Sequence, residues 1–359
     1  NFLSFLENDE TVVKVFTVNS SKNKILNNEV SLKLNKSYKL SYIIYQINLF
    51  YYLFKEFKTS NNRDIYIRLA PFNVAPYILS KFYKLNITAR SGPVYQNLVL
   101  YNKVRNPFLL KVFKRLLKFY YQNTNNIIVV TNKIKELLIH DFNIKPDKIT
   151  VISNPINNSL FEKDIDQLSV KRKLEIDGSG RIIGFVGDIY KEQGVQHIFT
   201  SLLKIKELIN INTVKVVIVG SGTYLENCKK LVSKLKLTNN VIFLGKISPK
   251  EVVDYISIFD ICLAPFTKND YEAKGSSALK ILEYLYCNKL VITINVDEYK
   301  FIEKKEFGWL YKIDDIDDLS EKIIIGLKSS LKINSKDYVI NNYSKEKVFS
   351  KYLKIINNN

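Results

Sequence analysis

The chain has 359 residues, enough for two domains with a core each, and its 46% apolar and 25% charged content is that of a globular protein. Lys and Arg outnumber Asp and Glu by 54 to 35, a net charge of +19 that favours phosphates, nucleotides or an acidic membrane surface as partners. Three cysteines (Cys228, Cys262 and Cys287) in no CxxC pattern, and only His140 and His197, argue against a disulfide framework, a metal site and a histidine-based hydrolase, and fit a reducing cytoplasm.

No secretory signal opens the chain, which contains no Met. The opening "NFLSFLENDETVVKVFTVN" reads as the tail of a helix running into a strand, so a first strand and loop are expected to precede Asn1. In chain order the first-half strands are 12–19, 64–70, 86–92, 126–132 and 149–155, with "NEVSLKLN" (28–35) as an extra edge strand. Helical periodicity fills 41–57, 74–84, 107–121 and 132–141. The apolar run "IIYQINLFYYLF" (43–54) is too short to span a bilayer and reads as a buried helix.

In the second half the strands are 181–187, 214–222, 241–245, 260–266 and 289–295, again with helices between them. Several are unbroken Val/Ile runs, the pattern of strands buried on both faces of a parallel sheet. Two βα arrays imply two doubly wound α/β domains. The expected division is an N-terminal domain over 1–155, completed by a C-terminal helix over 337–359, a polar linker over 156–180, and a second domain over 181–336. Both histidines fall in helices without a ligand-spaced partner and read as structural, with His197 expected to be exposed.

Several segments carry candidate chemistry. "GFVGDIYKEQGV" (184–195) is a strand, a Gly loop and a helix start, which lets backbone N–H groups approach a phosphate at Gly187. "VGSGTYLE" (219–226) repeats the arrangement, and there Gly220 and Gly222 either approach a ligand or only permit the turn. "FLGKISPKEV" (243–252) reads as a strand and then a helix starting at Ser248, with Pro249 in the first turn. "KGSSALKILEY" (274–284) is a Gly-Ser-Ser anion nest before an apolar helix that keeps Lys280 and Glu283 on its other face. Glu283 there either accepts sugar hydroxyls or forms a solvated pair with Lys280 that is worth little. "NPFLLKVFKRLLKFYY" (106–121) sets Lys111, Lys114, Arg115 and Lys118 in one cationic stripe, either for anionic lipid or for water.

In this order the segments resemble the family-four retaining glycosyltransferases of the GT-B fold, two doubly wound Rossmann-like domains facing a cleft. The resemblance covers roughly 60–356 and is carried by "IIGFVGDIYKEQGVQHIFTSL", "VKVVIVGSGTYLENCKKL", "VIFLGKISPKEVVDYISIFDICLAPF" and "SSALKILEYLYCNKLVI". It implies that Glu283 holds the nucleotide ribose and that Ser276 and Ser277 form the diphosphate nest. The stretch Phe243, Leu244, Gly245, Lys246 and Ile247 would meet the base, and Gly187 belongs to the phosphate-side loop. Three positions depart from the family pattern. Asp188 and Gln193 stand where many members have Arg and Lys, and Gly275 stands where the first motif glutamate is usual. A branch with an "SPLKLFEY"-like segment is closer, and there Lys280 supplies the missing positive charge.

The implied activity is transfer of a sugar, with retention, from a nucleotide-diphosphate sugar to a glycan or lipid-linked acceptor in bacterial cell-surface polysaccharide synthesis. Lys280 and Glu283 are the expected catalytic pair, with Asp188, Gln193, Gly220, Gly222 and Gly275 also on the donor side, and Arg90 and Ser91 on the acceptor side. No metal or other cofactor and no nucleic acid are expected. The expected place is the inner face of the cell membrane, held peripherally. Two alternatives stay open. A nucleotide-sugar epimerase needs acid/base groups that two histidines scarcely provide. A non-catalytic nucleotide-sugar or membrane-binding module needs exposed aromatics among its basic residues.

Overall fold

The computed structural model describes residues 15–19, 29–33, 38–59, 63–68, 74–92, 106–176, 180–275 and 279–357. The chain divides into two units, Asn1–Ser153 with Lys345–Asn359, and Asn154–Ser344.

In the first unit β1 (Val15–Asn19) and β2 (Glu29–Lys33) pair in parallel as a two-stranded sheet. Helix α1 (Tyr38–Thr59) follows, then β3 (Asp64–Arg68), α2 (Ala75–Leu79), β4 (Asn86–Arg90), α3 (Pro107–Gln122), β5 (Asn126–Val129), α4 (Asn132–Phe142) and β6 (Ile149–Val151). Strands β3-β4-β5-β6 form one parallel sheet in that order. The local sequence explains the helix ends. Asn106 accepts from the Phe108 and Leu109 N–H groups with Pro107 beside it, and Thr131 caps α4 through Ile134 N–H. Asn143, left-handed at φ 54°, ends α4. Leu49, Leu53 and Phe57 of α1 and Leu117, Tyr120 and Tyr121 of α3 join Ile87 and Ile127 of the sheet in one core. Over 46–54 the apolar run of α1 is buried on one side only, because Ile47 and Tyr51 are 61% and 60% exposed. Among the described residues no helix is long and apolar enough to cross a membrane.

The second unit runs α5 (Gln167–Lys173), β7 (Arg181–Val186), α6 (Val195–Ile205), β8 (Val214–Val219), α7 (Leu225–Lys234), β9 (Val241–Gly245), α8 (Val252–Ser257) and β10 (Ile261–Ala264). It continues with α9 (Lys268–Lys274), α10 (Leu279–Tyr286), β11 (Leu290–Ile294), α11 (Lys300–Lys304), β12 (Gly308–Tyr311), α12 (Ile316–Lys328) and α13 (Lys336–Tyr343). Six parallel strands are ordered β12-β11-β10-β7-β8-β9. The order reverses between β10 and β7, so the carboxyl ends of these two strands form the topological switch point of the sheet.

Three further expectations change, and one strand is added. The segment 156–180 is not a linker: Ile156, Phe161 and Ile176 are buried in the second unit's core, Asp166 caps α5, and Lys163 pairs with Asp254 at 2.7 Å. Its polar composition hid three spaced apolar anchors. The C-terminal helix is two helices, broken at Ser344, which is extended (φ −61°, ψ 158°). Helix α13 packs on the second unit through Val339, whereas α14 (Lys345–Asn357) covers Ile128 and Ile152 of the first with Val348, Phe349 and Tyr352. The short strand β12 was not legible, because "GWLY" opens on Gly and is no Val/Ile run. Helix α8 begins at Val252, four residues after Ser248. The turn before it is closed in capping-box fashion, with Lys250 N–H donating to Ser248 Oγ and Ser248 N–H to the Glu251 carboxylate, both at 3.3 Å.

Candidate functional site

The switch point in the second unit is built from the parting of two strands. β7 and β10 pair only at Ile183–Ile261 and Gly184–Cys262. Gly184 leaves room for a ring, since a Cβ there would lie 1.9 Å from Phe259 Cδ2. Past Gly184 the ladder ends, and a buried N–H without a partner would cost about 1–3 kcal/mol. Tyr284 of α10 closes the gap: its hydroxyl accepts from Val186 N–H at 2.7 Å and donates to the Leu263 carbonyl at 3.5 Å. Burial holds the phenol pKa well above its usual value, so the group stays a donor.

The loops leaving β7, β8 and β9 interlock. Gly187 N–H donates to Val219 O, Ile189 N–H to Ser221 O and Tyr224 N–H to Ile189 O, each at 2.9 Å. A Cβ on Gly220 would stand 1.8 Å from Gly187 O, and one on Gly222 2.4 Å from Ile189 O. Both glycines are thus packed by neighbouring loop backbone, the plain structural alternative for this motif. The turn 191–193 is pinned to the segment after β10. Thr267 N–H and Oγ1 donate to Glu192 O at 3.1 and 3.0 Å, and a Cβ on Gly194 would stand 1.6 Å from Pro265 O.

Lys280 enters this frame from α10. Its ammonium donates to Gln193 Oε1 at 3.0 Å and lies 4.1 Å from the Phe185 ring centroid and 5.2 Å from that of Phe266. A Cβ on Gly187, whose φ is 141°, would be 2.7 Å from Lys280 Nζ. Glu283 lies on the same helix and is half-buried. Burial pushes its carboxyl pKa up, and the Lys280 charge offsets this in part. Among the described residues no hydrogen bond reaches that carboxylate. Lys280 thus bonds Gln193, and Glu283 feels its charge with no hydrogen bond recorded between the two.

The other sequence-derived positions fall in varied settings. Asp188 is exposed beside Gly187. A bulge between Ile218 and Val219 re-aims the end of β9, where Gly245 adopts φ 69° with open space at its missing side chain. Phe243 packs edge-on against Phe199 at 5.9 Å, Leu244 and Ile247 are half-buried, and Lys246 is exposed. Gly275 ends α9 at φ 62°, ψ −175°, a conformation essentially reserved for glycine. Ser276 and Ser277 lie outside the described residues. His197 is half-buried and not exposed: its Nδ1 is buried without a hydrogen bond, and burial lowers its pKa.

On the first unit, Ser91 does not present its hydroxyl. It is fully buried and bonded to Tyr121 Oη at 2.8 Å and to Gly92 O at 2.9 Å, so it ties β4 to α3. Arg90 is half-buried, with its guanidinium 5.9 Å from the Tyr352 ring centroid. Of the basic stripe on α3, Lys111, Arg115 and Lys118 are exposed, whereas Lys114 folds back to within 5.9 Å of the Phe142 ring centroid. The residues that the sequence reading missed are Phe185, Phe266, Thr267 and Tyr284. Tyr284 had a signal, since it sits on the apolar stripe of α10 next to Glu283.

The family described as "Glycosyl transferases group 1" matches residues 166–346, and "Glycosyltransferase Family 4" matches residues 94–160. An uncharacterized glycosyltransferase of Methanocaldococcus jannaschii is 26% identical over 232 residues, 63% of this chain and 56% of that protein. Alpha-monoglucosyldiacylglycerol synthase of Streptococcus pneumoniae is 29% identical over 203 residues, 55% of this chain and 44% of the synthase. The matches thus span about half the length of these relatives. The solved structure of Anabaena HepE in complex with UDP superposes with a TM-score of 0.71 at 13% identity, over 92% of this chain and 86% of that one, which shows a shared GT-B fold.

The burial of Glu283 has a thermodynamic consequence. With its pKa raised above the ordinary 4.5, the native state keeps this proton to higher pH than the unfolded chain does, so stability is lost as pH rises through that interval. Glu283→Gln is expected to melt above the parent at pH 8, with the difference vanishing near pH 4. A variant that melts below the parent at both pH values contradicts this.

Proposed function

The chain belongs to the group 1 glycosyl transferases, and from that premise we propose that it transfers a sugar, with retention of anomeric configuration, from a nucleoside-diphosphate sugar to an acceptor hydroxyl. The observation that carries the reading is the pairing on α10 of a lysine held at the Gly187 loop with a half-buried glutamate, at the switch point of the second unit's sheet. A sugar leaving a diphosphate deposits negative charge on the phosphate oxygens. A fixed ammonium in a partly desolvated site stabilises that charge without reorganisation. Glu283, whose carboxylate lacks hydrogen bonds within the described protein, is suited to the vicinal hydroxyls of a ribose. The charge comes from a lysine in this account, so no step requires a metal ion.

The acceptor side rests on the first unit, with Arg90 as its candidate. Ser91 serves instead to hold β4. We assign the acceptor to a lipid-linked or growing glycan of the bacterial cell surface, reached at the inner face of the cell membrane. Two observations support a lipid surface as partner. The exposed face of α3 carries Phe108, Val112 and Phe119 beside Lys111, Arg115 and Lys118, so apolar and basic groups point the same way. The Streptococcus pneumoniae relative is named for a glucosylated diacylglycerol.

Both readings have direct tests. Loss of a charge-assisted hydrogen bond costs about 1.5–3 kcal/mol, so Glu283→Ala should bind a nucleoside diphosphate about tenfold more weakly or worse in calorimetry, with its fold intact. Unchanged affinity removes Glu283 from the donor site. For the membrane, each basic residue at an anionic surface is worth about 1 kcal/mol. Changing Lys111, Arg115 and Lys118 together to Gln should release the protein from phosphatidylglycerol vesicles and leave nucleotide affinity unaltered. Equal sedimentation of parent and variant would show that α3 is only a solvated face.

A further inference from the structure

The donor-site reading leaves a question about charge. The loop after β7 carries Asp188 and Gln193, an acid and a neutral amide, so the loop itself supplies no cation at either position. The cation that reaches it arrives from α10, 87 residues later in the chain. We propose that Gln193 is a positioning residue: its amide oxygen holds the Lys280 ammonium against the bare face of Gly187, where that ammonium meets the diphosphate of a nucleoside-diphosphate ligand. The inference rests on the donor-site reading and adds to it the device that fixes the charge.

Three features make the device. The platform is rigid, because the turn that carries Gln193 is pinned on one side by Thr267 donating twice to Glu192 O. On the other side it is pinned by Gly194 packed on Pro265 O. The named holders of the ammonium are an amide oxygen at 3.0 Å and two aromatic faces at 4.1 and 5.2 Å. These three are neutral and orient the charge without adding to the one carboxylate, Glu283, that already feels it, whereas a carboxylate at position 193 would bring a second negative charge directly onto the ammonium. The space is reserved as well. A side chain at Gly187 would have to push Lys280 Nζ out of this position, and the φ of 141° there disfavours one independently. A second ammonium at position 193 would crowd the first at hydrogen-bond distance, which is why a neutral acceptor suits that place.

Gln193→Glu separates this role from a structural one. A glutamate keeps an acceptor for Lys280, and even strengthens the contact, while neutralising the charge offered to phosphate. Melting should therefore stay at or above the parent value. Affinity for UDP or GDP, measured by calorimetry, should fall about tenfold or more. Affinity for uridine or guanosine, measured by competition, should stay the same. Gln193→Ala, which leaves the ammonium without this acceptor, and Lys280→Gln, which removes the charge, should each lose diphosphate affinity with the same sparing of the nucleoside. If Gln193→Glu binds the diphosphate as tightly as the parent does, or loses diphosphate and nucleoside alike, the positioning role is overturned while the donor site stands. If the parent itself binds none of UDP, GDP or ADP, the donor-site reading falls and takes this inference with it.

Discussion

One hydrogen bond, from Val186 N–H to the Tyr284 hydroxyl, sets the geometry on which the rest of the second unit's switch point depends. A parallel sheet that reverses its strand order must let the strands at the switch point separate, and β7 and β10 do so after Gly184. The separation makes a crevice but strands a backbone donor. A side chain from α10 satisfies it, and in doing so fixes the height and rotation of that helix over the sheet. Lys280 and Glu283 precede Tyr284 by one turn and by one residue, so both inherit their positions from the same anchor. The phenol suits the task because burial keeps it protonated, able to accept from Val186 and to donate towards Leu263 together.

The glycines have separate duties within the same assembly. Gly220 and Gly222 let the loops after β7 and β8 lock together through their backbones, which stiffens the floor of the site. Gly187 is different in kind, since what fills the space of its missing side chain is the ammonium of Lys280. Against this rigidity stands a cost. Glu283 is held where burial disfavours its charge, a local inconsistency of the sort that structures tolerate at sites shaped for a ligand.

Much of this was legible in the sequence, for physical reasons that can be named. The Val/Ile runs of β7, β8 and β11 announce strands covered on both faces, and the spacing of Lys280 and Glu283 marks two charged residues on an otherwise apolar helix. The contact between Lys280 and Gln193 was not legible, because periodicity carries no information about partners 87 residues apart. Polar composition misled over 156–180, where three buried apolar residues decide the packing and the polar ones only face water. Ser91 looked available at a strand end, yet its hydroxyl is consumed by Tyr121, a tertiary contact that no local pattern encodes. The division of the C-terminal helix at Ser344 also follows from tertiary packing, since Val339 and Tyr352 belong to different cores.

The account's central claim is that a diphosphate binds at the carboxyl ends of β7 and β10 and that a ribose binds at Glu283. A crystal structure of the full chain grown with UDP or GDP tests it most directly. The account predicts phosphate oxygens within hydrogen-bond distance of Lys280 Nζ beside Gly187, and ribose hydroxyls on the Glu283 carboxylate. A nucleotide bound elsewhere on the second unit, with Lys280 still against Gln193 and no phosphate near it, would contradict the claim.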